Sequence, residues 1–230
     1  MNLMERLRTY PRFQFKKFRI LLAWVGGILL MFSAKQMTDT SFRIGVPFIC
    51  LGELIRIWSL GCMARKGVKL AAGGPYAFVR NPLYIGNLLI GLGTVLVFQN
   101  RWLLLIFLIG FPIVYSGTVR KEESDLEQRL GDEFRRYKDN VPRFLPRLTP
   151  YQSGEKEPFL WSRLIQHHEY ITIAAILLCL MGLYILKTFV THQVFGPGQW
   201  VSSVIALLLA SYLVIDRAKR IKRTRGQARV

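Results

Sequence analysis

The sequence predicts an all-α fold: a polytopic integral membrane helical bundle of about six transmembrane helices, with one cytoplasmic amphipathic helix. Three observations carry this. Hydrophobic residues make up 51% of the 230 positions, and the mean hydropathy is +0.26, high for a soluble domain. Six apolar runs approach the ~20 residues a helix needs to cross a bilayer. The basic residues, 32 against 14 acidic, fall almost entirely into alternate connections between those runs.

In chain order, residues 1–19 read as a basic interfacial segment, with Leu3, Leu7, Tyr10, Phe13 and Phe18 on its lipid side. Spans are expected at 20–34, 42–63, 82–98, 102–119, 170–190 and 200–215. The first is short, and the second carries Glu53 and Arg56. Short links at 35–41 and 99–101 make spans one and two, and three and four, antiparallel hairpins. Residues 20–148 form the core, and 149–169 a linker rich in Pro and polar residues. Residues 170–215 are an appended transmembrane hairpin turning at Gly196-Pro197-Gly198, and 216–230 a polybasic tail. No internal repeat interrupts this order.

Of the Lys and Arg residues, 6 precede the first span, 4 lie between spans two and three, 10 between spans four and five, and 7 in the tail. Together these are 27 of 32; the opposite side holds only Lys35, Arg43, Arg101 and Lys187, and Arg56 lies within a span. Basic loops stay in the cytoplasm, so both termini and the large loop are expected there, in a membrane of the bacterial inner type. The tail is expected to lie on anionic headgroups, which explains the net charge of +18 without nucleic acid. Cys50, Cys62 and Cys179 show no zinc-type spacing, and His167 and His168 are adjacent and so diverge on any helix. No metal site and no cleavable signal peptide are expected.

Residues 120–141 carry the extramembrane helix. Leu126, Leu130, Phe134, Tyr137 and Val141 recur at steps of four and three and make one apolar stripe. With Glu122 at 0°, the stripe covers roughly 40° to 120° and Glu123 falls at about 100°, inside it. Asp125, Glu127, Arg129, Asp132 and Arg136 point to solvent. A carboxylate on a packed face is costly unless it is paired or binds a ligand. Glu123 is therefore either a ligand-binding group or an ordinary salt bridge to Arg80, Arg143 or the basic loop.

The stretch Gly74-Pro75-Tyr76-Ala77-Phe78-Val79-Arg80-Asn81-Pro82-Leu83-Tyr84-Ile85-Gly86 opens span three. Asn81-Pro82 reads as N-cap and first helical residue, and Arg80 beside the free N–H groups makes an anion site at a membrane boundary. Tyr84 is either a ligand contact or an interfacial belt residue. Gly91 and Gly93, with Gly86, allow close helix approach or make room for a flat ligand. Glu53 and Arg56, three apart on one helix face, are a functional pair or a mutually neutralising one. Arg143, in Val141-Pro142-Arg143-Phe144-Leu145-Pro146, is set to bind a carboxylate or a phosphate headgroup.

Residues 52–148 resemble the isoprenylcysteine carboxyl methyltransferase family and its phospholipid N-methyltransferase relatives. The motifs are the Gly74–Gly86 stretch, Glu122-Glu123-Ser124-Asp125-Leu126, and Leu130-Gly131-Asp132-Glu133-Phe134-Arg135-Arg136-Tyr137 running into Val141-Pro142. The resemblance implies a membrane-embedded enzyme that uses S-adenosylmethionine to methylate a carboxylate or amine of a prenylated, lipid or other lipophilic acceptor. By position it makes Arg80, Asn81, Tyr84, Gly91, Gly93, Glu122, Glu123 and Arg143 cofactor-binding, with Glu122, Glu123 and Arg143 as catalytic candidates. Asn81 replaces the His of the eukaryotic Arg-His-Pro form, so a step needing imidazole is not expected. Expected partners are membrane lipids and the lipophilic substrate.

Two other readings fit the same residues. One is an oxidoreductase resembling the membrane sterol reductases, separable by its preference for NADPH. The other is a non-enzymatic membrane protein that binds lipid or a partner through its basic surfaces.

Overall fold

The computed structural model describes residues 33–63, 70–152 and 158–192, with Val201, Val204 and Ile205. It forms two compact units, Met1–Phe159 and Leu160–Val230. The predicted interfacial segment, most of span one, the turn at 196–198, most of span six and the polybasic tail lie outside the described residues.

In the first unit, α1 spans Asp39–Gly61. Thr38 and Ser41 start it with a reciprocal capping box, Thr38 Oγ1 accepting from Ser41 N at 3.1 Å and Ser41 Oγ from Thr38 N at 3.0 Å. A short 3₁₀ turn, Gly74–Ala77, precedes α2, Pro82–Phe98. Gln99 ends α2 in the left-handed region, and the Asn100 side chain caps α3 by accepting from Trp102 N and Leu103 N. The short link expected between these two helices is therefore present.

The sequence reading divides α3 differently. Instead of a span at 102–119 and a separate helix at 120–141, α3 runs unbroken from Arg101 to Leu130 and α4 follows at Asp132–Asn140. Gly131 makes the break at φ +53, ψ −123, a conformation that side chains with a Cβ avoid. Glu127 accepts from Arg135 and Lys138 across the bend.

Helices α1, α3 and α6 (Glu169–His192, in the second unit) are long and apolar enough to cross a membrane, and α2 is a shorter apolar helix of 17 residues. The α3 residues Trp102, Leu105, Leu108, Ile109 and Ile113 are exposed, as a lipid-facing surface requires. All described elements are helical.

Helices α1 and α2 approach each other closely. Gly45 meets Gly93 and Gly52 meets Gly86, so each glycine faces the backbone of the other helix. A Cβ on Gly93 would sit 2.5 Å from the Gly45 carbonyl oxygen. Two glycines seven residues apart on each helix thus let the backbones touch. The second unit holds the short helix α5, Trp161–Gln166, and then α6.

At the end of the first unit, Phe134, Tyr137 and Val141 bury their side chains with Ala72, against Leu70, Leu130 and Tyr151. This is the apolar stripe of the sequence, minus Leu126, which is exposed. Tyr137 Oη donates to the Tyr76 carbonyl at 2.8 Å. Three backbone bonds tie the following loop to the turn before α2: Arg80 N to Pro142 O, Arg147 N to Phe78 O, and Tyr151 N to Ala77 O.

Candidate functional site

These ties bring Arg80, Asn81, Glu123 and Arg143 into one cluster. Arg143 donates to Glu123 bidentately, Nη2 to Oε2 at 2.5 Å and Nε to both oxygens at 3.1 Å. Arg80 Nε stands 3.6 Å from Glu123 Oε1, and Asn81 Nδ2 donates to the same oxygen at 3.2 Å. The Glu123 and Arg80 side chains are 7% and 10% exposed, that of Arg143 37%. Glu123 is therefore paired with Arg80 and Arg143, two of the three salt-bridge partners the sequence left open. Hydrogen bonding to Glu123 holds the Arg143 guanidinium above its ordinary pKa.

Asn81 occupies the N-cap position of α2, but its side chain makes no cap bond. Its amide nitrogen faces Glu123 and, at 3.4 Å, the Arg143 carbonyl. In place of the expected cap the side chain makes a charge-assisted cross-link to a buried carboxylate.

Glu122 faces a different neighbour. Its Oε1 accepts from Tyr84 Oη at 2.8 Å on the exposed side of the cluster. The Tyr84 ring meets Tyr115 edge-on at 5.1 Å, and Phe111 and Phe107 continue that aromatic row along α3. Glu122 and Glu123 thus have separate surroundings.

Gly91 and Gly93 stand apart from the cluster, ten and twelve residues along the chain from Asn81. Gly91 faces the Phe107 ring and Gly93 the α1 seam. Close helix approach accounts for Gly93, whose nearest neighbour is the Gly45 backbone, whereas Gly91 meets only a side chain. Glu53 and Arg56 lie on that seam too, with Arg56 Nε 3.6 Å from Glu53 Oε2 and Nη1 donating to Asn87. Asn87 was not readable from spacing, since a lone Asn in an apolar helix has no pattern.

Tyr76 is a further site residue that spacing did not single out, although it sits in the quoted Gly-Pro-Tyr. Its Oη is buried without a hydrogen-bond partner, as are Nε and Nη1 of Arg80. Burial, then the nearby Cys62 and Glu122, pushes the Tyr76 phenol well above its ordinary range. Buried polar atoms of this kind are rare and call for a partner. Among the described residues, no group of three or more His, Cys, Asp or Glu side chains is placed to hold a metal ion.

The sequence model of the phospholipid methyltransferase family matches residues 17–133, just over half of the chain. The chain belongs to that family. It is also 31% identical over 110 residues to a cobalt-zinc-cadmium resistance protein of Cupriavidus metallidurans, covering 47% of this chain and 50% of the relative. A nickel-cobalt-cadmium resistance protein of Alcaligenes xylosoxydans is 30% identical over 134 residues, 55% of this chain and 62% of that one. The protein-S-isoprenylcysteine O-methyltransferase of Schizosaccharomyces pombe is 28% identical over 110 residues, 43% and 47% of the two chains. The chain thus spans about half the length of the curated relatives it matches. No solved structure matches it. Within the phospholipid methyltransferase family match lie Arg80, Asn81, Glu122 and Glu123; the Arg143 loop lies beyond it.

Proposed function

We propose that this chain is an S-adenosylmethionine-dependent integral membrane methyltransferase acting on a lipophilic acceptor. The observation that carries the reading is the cluster of Arg80, Asn81, Glu123 and Arg143, with Glu122 on its exposed side, beside buried donors that make no hydrogen bond, Arg80 Nη1 and Tyr76 Oη. A small ligand with a carboxylate and cationic groups fits that donor set: arginine for the acid end, carboxylate for the cationic end.

In this reading Arg80 holds the cofactor carboxylate, and Tyr76 and Glu122 take its ammonium group or ribose hydroxyls. S-adenosylmethionine supplies an electrophilic methyl group on a sulfonium. The chain's own work is to bind, orient and keep water out, since in-line displacement gains most from alignment of donor and acceptor. Glu123 fixes Arg80 and Arg143, its charge being already matched by both. Glu122 is then the carboxylate available to a cationic ligand, and the candidate base for an amine acceptor. A carboxylate acceptor needs no base. The site faces the cytoplasm by the placement of the basic loops, in a membrane of the bacterial inner type.

The experiment is transfer of a radiolabelled methyl group from S-adenosylmethionine to a total lipid extract by the purified protein. Labelled lipid from wild type, reduced at least tenfold with Glu122→Gln, supports the reading. No transfer to any lipid fraction, with the protein folded, contradicts it.

A further inference from the structure

We infer that the loop carrying Arg143 is an interfacial anchor, inserting Phe144, Leu145 and Leu148 into the headgroup–acyl boundary of the bilayer that holds the spans. Leu148 is 99% exposed, Leu145 81% and Phe144 41%, within five residues of one another. Three large apolar side chains projecting from a loop that is otherwise tightly bonded call for an apolar environment. The loop is fixed: its backbone bonds to Ala77, Phe78 and Arg80, and the Arg147 guanidinium donates to the Asn140 carbonyl and Thr149. Pro146 and Pro150 restrict it further. Little ordering entropy is then lost on insertion.

Its position selects the partner. The segments it bonds to lie immediately before Pro82, where the apolar helix α2 begins, so the loop sits beside the polar-to-apolar boundary of the chain. From Val141 to Gln152 the chain carries Arg143 and Arg147 and no acidic residue. An apolar, basic and rigid loop at that boundary suits anionic headgroups above acyl chains. Anchored there, it would hold the Arg143 side of the cluster against the lipid from which an acceptor must come.

The test uses the full chain in vesicles of phosphatidylcholine and phosphatidylglycerol. Leu148→Cys, in a Cys50→Ala, Cys179→Ala background, is labelled with an environment-sensitive nitrobenzoxadiazole dye, and the background without the new cysteine gives the blank. Leu145→Cys serves as a second position, and a melt equal to wild type verifies folding. Expected are blue-shifted emission, quenching by lipids spin-labelled near the headgroup, and at least threefold protection from aqueous iodide. Ready quenching by iodide would put the loop in water and overturn the inference. Protection from both iodide and spin-labelled lipid would mean a protein cover, and would overturn it equally.

Discussion

Arg143 and Glu123, twenty residues apart, form a bidentate ion pair that locks a loop onto the end of a transmembrane helix. Arg80 and Asn81 reach the same carboxylate from the start of α2. One side chain on α3 thus gathers three other segment positions, and its loss is expected to exceed the loss of any single partner.

Glu123→Gln leaves two guanidinium groups against a neutral amide, Arg80 being buried. Breaking buried pairs costs about 3–5 kcal/mol. Arg143→Ala is milder, about 1 kcal/mol or less, since Arg143 is 37% exposed and solvent screens part of the pair. Thermal unfolding in detergent should rank the variants in that order. Arg143→Lys should not restore stability, because an ammonium cannot make the two-pronged contact.

Tyr84→Phe removes the donor to Glu122 and keeps the ring against Tyr115. The melt should stay close to wild type. Affinity for S-adenosylmethionine should fall about threefold to tenfold, the value of one hydrogen bond of roughly 0.5–1.5 kcal/mol. A double-mutant cycle with Glu122→Gln, read by calorimetry, should give nearly the same loss for the double variant as for Glu122→Gln alone.

The glycines separate backbone contact from side-chain contact. Gly93→Ala puts a Cβ against the Gly45 carbonyl, which cannot move without parting α1 from α2. Gly91→Ala meets the ring of Phe107, which can turn. The first should cost about 1–3 kcal/mol as overpacking and the second less. The yield of folded protein and its unfolding temperature measure both.

Tyr137 gives a pH dependence. Burial, with Tyr76 adding, raises its phenol far above the ordinary 10.0. A group with a raised folded pKa contributes stability fully present below its unfolded pKa and lost as pH climbs beyond it. Wild type should therefore weaken above about pH 10. Tyr137→Phe should be about 1 kcal/mol less stable at pH 8, having lost the bond to the Tyr76 carbonyl, and should show a shallower alkaline decline. Melts from pH 8 to 11 measure the difference.

Much of this was legible in the residues. Face geometry put Glu123 among Phe134, Tyr137 and Val141, all of which are buried with it. Of the three partners open to Glu123 in the sequence, Arg80, Arg143 or the basic loop, the first two meet it. What periodicity could not give was tertiary: that Asn81 would turn from its helix end to Glu123, that Asn87 would meet Arg56, and that Tyr76 would be buried with an open hydroxyl. Each depends on which segments meet, and that is set by the α1–α2 glycine seam and the loop's backbone bonds. The break at Gly131 was missed because the apolar stripe runs through it in phase. A glycine inside a periodic helix pattern carries no mark of its φ.

The most direct test of the central claim is calorimetric titration of the detergent-purified protein with S-adenosylmethionine and with NADPH, on wild type and Glu122→Gln. Saturable binding of S-adenosylmethionine alone, weakened at least tenfold in the variant, is the predicted result. Saturable binding of NADPH in its place would contradict the account and assign the cluster to a reductase.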